Sequence, residues 1–345
     1  MDLRLFAREA APSLMLRPPI ATRSHPMIAP APMPSDVDAP RVARIGTAYA
    51  AALVTTFLWS IHAVMIRKLI GEGLDPSLIC TIRVALGSMF LAAFSLTRPE
   101  RLRAPKGTYS RAYGWAIAIY ALNLLAFHHS LARSTAGRVM LLEAGFPLVI
   151  LLYLVLFDRG RLGDRTAQPG YWGRLTGVVG LGTLGGVCVV LARTGGFVAT
   201  TGTDWGTILA LAAMVTWATY NLILDRYVQG IGERGAAPQV TLRLMAGTTL
   251  LLAPFAQWHQ LGEITARQWS WFLLLGVGSS GVANLCWNFA THRLNNVVVL
   301  TVFFMMTLVA TALLEWAWLG VRPTPLLTVG AVLILYAAWS SRRLR

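Results

Sequence analysis

The sequence predicts an all-α integral membrane protein with ten transmembrane helices arranged as two inverted five-helix repeats. Three observations carry that expectation. From residue 45 onward, hydrophobic spans alternate with short basic loops. The pattern occurs twice: Thr81-Ile-Arg83-Val-Ala-Leu-Gly87 returns as Thr241-Leu-Arg243-Leu-Met-Ala-Gly247, 160 residues later. Arg133 and Arg293 share that offset, and Trp59 and Trp217 lie 158 apart. Finally, the windows 45–66, 175–192, 205–224, 268–292, 294–314 and 323–341 contain no Asp, Glu, Lys or Arg. Each is close to the roughly 20 apolar residues that a helix needs to cross the hydrocarbon.

Composition agrees with this class. The 345 residues are 55% hydrophobic and 13% charged, about half the charge of a soluble domain. The formal net charge of +15 does not mark a nucleic-acid partner. Its arginines lie between spans and form no basic stripe with exposed aromatics. Cys80, Cys188 and Cys286 are far apart and odd in number, so neither a disulfide framework nor a CxxC metal site is expected. No metal and no cofactor is called for. The expected partners are the lipid bilayer and a small-molecule solute, with a homodimer allowed for.

Residues 1–44 differ in kind, with eight prolines and six arginines. They read as a disordered basic cytoplasmic tail without the apolar core of a signal peptide. The spans then follow at about 46–66, 77–97, 113–131, 138–157, 174–192, 204–224, 239–257, 269–290, 295–318 and 324–341. Repeat one occupies 45–200 and repeat two 201–345. The second, third, fourth and ninth spans are interrupted or flanked by polar groups, and the duplication supports them. With the amino terminus inside, cytoplasmic segments hold 21 Lys and Arg and outer segments seven. This bias places both termini in the cytoplasm of a plasma (inner) membrane protein. Five spans per repeat force the second copy to be inverted, and such repeats place a binding site between their halves.

Glycine patterns predict close helix contacts, at Gly173-x-x-x-Gly177 and Gly182-x-x-x-Gly186 in span 5 and at Gly276, Gly278 and Gly281 in span 8. Gly180-x-Gly182-x-x-Gly185 and Gly276-x-Gly278-x-x-Gly281 also satisfy a dinucleotide fingerprint. Neither follows a strand, so the phosphate-cradling context is absent.

Polar residues inside the spans are the candidates for function. Trp217, Tyr220 and Asn221 share one face of span 6, and Trp59 and His62 share one of span 1. Tyr120 and Asn123 pair in this way on span 3. Asn284 and Asn288 pair on span 8, with Trp287 beside them. Amphipathic rings with a few oriented amides suit an organic zwitterion; interhelical bonding and interfacial tryptophans are the bland alternative. Glu143 stands in span 4, where a carboxylate costs about 2.5–3.5 kcal/mol even on insertion scales. It is expected to bind a substrate amine or carry a proton, unless it pairs with Arg83 or Arg138. His128 is a second coupling candidate. His128 and His129 are adjacent and point about 100° apart, so they do not form a metal site. Arg83 and Arg243 are expected to be structural, bonding carbonyls across the repeat interface, with a substrate carboxylate as the alternative. Glu315 is assigned an interfacial or packing role.

Several short motifs together resemble the drug/metabolite transporter superfamily in its bacterial EamA-type branch. They are Leu58-Trp59-Ser60 with Arg67, Gly73-Leu74 and Pro76; Thr216-Trp217-Ala218-Thr219-Tyr220 with Arg226; and Ser134-Thr135-Ala136-Gly137 with Pro147. The last is Leu319-Gly320-Val321-Arg322-Pro323-Thr324-Pro325, then Gly330-Ala331-Val332-Leu333-Ile334-Leu335. The family commonly has Glu where Val321 stands. The resemblance covers about residues 46–341. It implies ten helices around a central cavity and transport of small organic solutes by alternating access. Trp217, Tyr220 and Trp287-Asn288 also look like positions in the superfamily's aromatic amino acid exporters.

The expected function is therefore a secondary transporter and not an enzyme. It would export amino acids or related metabolites, with proton coupling through Glu143. The alternative is an integral membrane enzyme acting on lipid, but HExxH, HxxxxD and acidic metal pairs are all missing. A channel would show a filter loop or polar rings, and none is found.

Overall fold

The computed structural model describes residues 39–96, 111–134, 139, 142–143, 145–157, 169–194, 205–230, 238–294, 297–319 and 324–340. The described residues are helical and contain no strand. Helix α1 runs Ala39–Gly71, α2 Pro76–Leu96, α3 Arg111–Arg133, α4 Phe146–Phe157 and α5 Tyr171–Thr194. Then come α6, Trp205–Gly230, and α7, Pro238–Leu252. Two 3-10 turns, Ala253–Phe255 and Trp258–Glu263, lead into α8 at Ala266–Leu273. A π-helical segment, Leu274–Val282, continues into α9 at Ala283–Leu294. α10 is Val297–Leu319 and α11 is Pro325–Ser340. Residues Ile45–Arg345 form one compact unit.

Five stretches are long and apolar enough to cross a membrane: Gly46–Gly71, Pro76–Leu96, Arg111–Arg133, Trp205–Tyr227 and Ala266–Leu294. Phe146–Phe157 and Pro325–Ser340 are shorter apolar helices. The span expected at 269–290 differs in form, because a π segment interrupts it. Three glycines within it weaken the α ladder.

Local chemistry sets the helix boundaries. Gly73 adopts φ +93° after α1, a conformation that glycine takes without steric cost. Asp75 then caps α2, its Oδ1 accepting from the Leu78 amide at 2.8 Å, and Pro76 fills the first helical position. Thr265 and Gln268 form a reciprocal capping box at the start of α8.

Small residues decide the packing. α2 lies against the π segment and α7, α3 against α6 and α7, and α5 against α10 and α11. A Cβ on Gly87 would stand 2.8 Å from that of Ser280, and one on Gly276 2.4 Å from that of Leu86. Gly185 and Gly330 meet reciprocally, each Cβ falling within 2.7 Å of the other's carbonyl. Among the described residues the expected contact through Gly173 and Gly177 is absent, since none lies within 4 Å of either position. Those two glycines point away from the neighbouring helix.

Two links tie helix ends together. Arg67, near the end of α1, donates to the Leu131 carbonyl and, at 3.2 Å, to that of Ser134. Gly206, at the start of α6, packs on Ser134 and Arg133, leaving 2.7 Å between a Cβ and that of Ser134. The end of α1 and the start of α6 therefore meet at the end of α3. On the same side of α1, Glu72 pairs with Arg267 at 3.0 Å and accepts from Gln268 at 3.0 Å. Elsewhere, the Tyr113 hydroxyl at the start of α3 donates to the Val240 carbonyl at the start of α7.

The outer surface is apolar. Leu53, Phe57, Met89, Leu122, Leu152, Leu250 and Leu335 are all exposed, as lipid-facing side chains are and soluble-protein side chains in such numbers are not. Exposed Trp115, Trp205, Trp258 and Trp339 stand near helix ends, where interfacial tryptophans sit.

Candidate functional site

The spacing that set Trp59, Trp217, Tyr220 and Trp287 on inward faces brings them together. Trp59 of α1 lies 5.4 Å from Trp217 of α6 and 5.2 Å from Trp287 of α9, centroid to centroid. Tyr220 stacks on Trp217 at 5.4 Å and on Tyr120 of α3 at 4.7 Å. All five rings are buried. Two residues that sequence reasoning missed close the cluster. Phe304 of α10 lies 5.7 Å from Trp59 and 5.8 Å from Trp217, and Phe146 of α4 packs edge-on to Phe304 at 4.9 Å. Each offset or edge contact contributes about 0.5–1.5 kcal/mol beyond burial. The cluster therefore ties together six helices, α1, α3, α4, α6, α9 and α10.

Amides wire this cluster to the backbone. Trp287 Nε1 donates to Asn221 Oδ1 at 2.8 Å, and Asn221 Nδ2 donates to the Trp217 carbonyl at 2.8 Å. The Tyr120 hydroxyl reaches Asn284 Oδ1 at 3.4 Å, and Asn284 Nδ2 donates to the Ser280 carbonyl at 2.9 Å. Trp59 Nε1 donates to the Ser279 carbonyl at 3.0 Å. The π segment thus presents Ser279 and Ser280 carbonyls to side chains, a use to which widened turns are often put. Asn123 Nδ2 donates to the Ala213 carbonyl at 2.8 Å, and Asn288 Nδ2 to Thr241 Oγ1 at 2.7 Å. Trp217 Nε1, the Tyr220 hydroxyl, Asn288 Oδ1 and the Ser279 and Ser280 hydroxyls are buried with no partner. An unfilled buried polar atom costs about 1–3 kcal/mol, so these atoms hold hydrogen-bonding capacity that the described residues do not use.

A second set of groups borders the rings. His62 Nδ1 donates to the Trp59 carbonyl, and His128 Nδ1 to that of Leu124 at 2.7 Å. Arg83 of α2 is 3% exposed. It stands within electrostatic reach of His62, His128 and Tyr120. Its repeat counterpart, Arg243, is half-buried and partnered. Glu143 is half-buried just before the turn at Gly145. Pro147 leaves the Glu143 carbonyl without its helical donor. Glu143 forms no ion pair with Arg83 among the described residues, and Arg138 lies outside them. The Glu315 side chain is also outside the described set. No His, Cys, Asp or Glu cluster among the described residues is placed to hold a metal ion.

A family model described as the EamA-like transporter family matches residues 46–167 and again 204–341. A solved crystal structure of a protein superimposes with a TM-score of 0.66 at 20% identity. The alignment covers 88% of this chain and 96% of that one. At that identity the likeness is one of fold. No curated protein matches the chain.

Proposed function

The chain belongs to the EamA-like transporter family, a multi-pass membrane transporter of small solutes, and from that premise we propose that it carries organic metabolites by alternating access. Ten spans form two five-helix halves, 45–200 and 201–345, of opposite sense in the inner membrane. Both termini and the basic 1–44 segment face the cytoplasm. Support for the opposed sense comes from α1 ending where α6 begins.

The observation that carries the reading is the aromatic cluster with its unfilled polar atoms. Trp59, Tyr120 and Phe146 come from the first matched segment, and Trp217, Tyr220, Trp287 and Phe304 from the second. A site shared between two halves changes its exposure when one half rocks on the other. Rings plus Asn221, Asn284, Asn288, Asn123 and His62 suit an amino acid or a related solute, moved outward. Glu143 carries the coupling proton, with His128 as the second candidate relay. A half-buried carboxylate free of Arg83 is able to exchange a proton as its surroundings alternate between wet and dry.

The test is counterflow in proteoliposomes with a panel of labelled amino acids. Saturable exchange is expected for part of the panel. Glu143→Gln is expected to keep exchange while losing uptake driven by a pH gradient. Unchanged gradient-driven uptake in that variant would remove Glu143 from coupling. No saturable movement of any solute would remove the carrier reading.

A further inference from the structure

We infer that Arg83 is the anchor for an anionic group of the transported solute, a carboxylate or a group of like size, bound beside the aromatic cluster. The inference rests on the carrier reading and narrows its substrate class to solutes that join an anionic head to an apolar or aromatic body.

The argument starts from what surrounds the guanidinium. Arg83 is almost fully buried, yet Nε and Nη1 have no hydrogen-bond partner. No carboxylate among the described residues forms an ion pair with it. The groups in its electrostatic reach are His62, His128, Tyr120 and Cys80, none of them an anion at neutral pH. A buried cation is expected to be paired, and an arginine bridging repeats structurally would spend its fork on carbonyls. Nε and Nη1 spend nothing. Further buried atoms without partners stand on two of the elements that pack against α2, namely α3 and the π segment. His128 Nδ1 is committed to the Leu124 carbonyl, and its Nε2 is buried without a partner. Gly87, one turn beyond Arg83 on α2, packs directly on Ser280, whose hydroxyl is likewise buried and unpartnered. The guanidinium presents two edges of parallel N–H bonds in a fixed plane, Nε with Nη2 and Nη1 with Nη2, and the unspent Nε and Nη1 leave a donor open on each, so either edge suits a carboxylate.

Tyr120 links Arg83 to the rings. Its hydroxyl stands in the electrostatic reach of Arg83 and donates towards Asn284 Oδ1 at 3.4 Å, while its ring stacks on Tyr220. A solute with its anionic head on Arg83 therefore sets its body against Tyr120, Tyr220 and Trp217. The duplicated Arg243 has partners of its own, so the anion site belongs to one half of the molecule and gives the chamber a polarity.

The test compares probes of one shape that differ only in charge: 3-phenylpropionate, 3-phenylpropionamide and 3-phenylpropylamine, with chloride alone as the inorganic anion. Binding to the purified full chain is read by thermal shift and by titration for wild type, Arg83→Gln and Arg83→Lys. Wild type is expected to be stabilised by the carboxylate and not by its amide or amine. Arg83→Gln is expected to weaken the carboxylate about thirtyfold or more, with Arg83→Lys between. The unliganded melting temperature of Arg83→Gln should be unchanged or higher, since the variant removes an unpaired buried charge. A lower melting temperature with equal loss of all probes would show a structural arginine and overturn the inference. So would wild type binding the amide as well as the acid, a comparison that needs no variant. Chloride stabilising as strongly as the carboxylate would assign the site to an inorganic ion and overturn it as a solute anchor. If wild type moves none of the probes and no amino acid in liposomes, the carrier reading fails, whatever the charge preference.

Discussion

Trp217 and Trp287 face the same cluster but are held differently, and the difference predicts opposite phenotypes. Trp287 Nε1 is bonded to Asn221 at 2.8 Å, whereas Trp217 Nε1 is buried without a partner. Trp287→Phe would leave Asn221 Oδ1 without its donor, an interaction worth about 0.6–1.7 kcal/mol inside a membrane protein. Its melting temperature should fall by about 2–4 °C. Trp217→Phe keeps a ring on Tyr220 and loses no internal bond, so it should lose only the packing of the smaller ring and remain about 1 kcal/mol more stable than Trp287→Phe. Solute affinity should instead drop about tenfold, because the free N–H is then missing for the ligand. Thermal denaturation and ligand titration on the two proteins check both halves of this expectation; equal stability losses would sink it. The cluster was legible in the sequence where polar or amphipathic residues repeat at helical spacing, as with Trp217, Tyr220 and Asn221. Phe304 was not, because it lies in a span that is apolar on every side and gives no period. The unfilled polar atoms of Arg83 were not legible either, since spacing reports a residue's face and not its partner.

At the scale of the element, glycines decide how close two helices come, and motif spacing alone does not say which glycines do so. Gly173-x-x-x-Gly177 has the right pattern and faces open space, while Gly185 meets Gly330 backbone to backbone. The duplicated Thr-x-Arg-x-x-x-Gly motif was more informative. Its Gly87 and Gly247 are both contact positions, the first against Ser280 and the second against Ile117. Gly87→Ala puts a methyl 2.8 Å from the Ser280 Cβ and 3.0 Å from the Gly276 carbonyl. Neither neighbour is a flexible chain end, so the helices must separate, at a cost of about 1–3 kcal/mol. Gly177→Ala meets nothing within 4 Å and gains helix propensity of up to about 1 kcal/mol. Unfolding of the two variants in mixed detergent micelles should show loss at Gly87 and none at Gly177. Equal effects would mean that α2 and the π segment are not in contact in the folded protein. The π segment itself was marked in the sequence only by Gly276, Gly278 and Gly281, which raised the possibility of close packing without revealing the change of helical pitch.

For the whole molecule, the charge pattern and the helix-end contacts make a joint claim about sidedness. Counting of Lys and Arg assigns the loops after spans 1, 3, 5, 7 and 9 to the outer face. Independently, Glu72 after α1 pairs with Arg267 at the start of α8, and Arg67 and Gly206 both meet Ser134. Those contacts put the ends of α1 and α3 and the starts of α6 and α8 on one face, as ten spans require. Exposed Gly262 and Thr324 should then lie outside, and exposed Pro169 and Arg111 inside. In a background with Cys80, Cys188 and Cys286 replaced, Gly262→Cys and Thr324→Cys should react with a membrane-impermeant maleimide on intact cells. Pro169→Cys and Arg111→Cys should react only after the membrane is opened. Labelling in the reverse sense would keep the fold and invert the protein in the membrane, contradicting the positive-inside bias. Gly262→Cys and Pro169→Cys reacting from the same side is incompatible with two halves of opposed direction, and the shared chamber that the proposed transport cycle needs would have no basis.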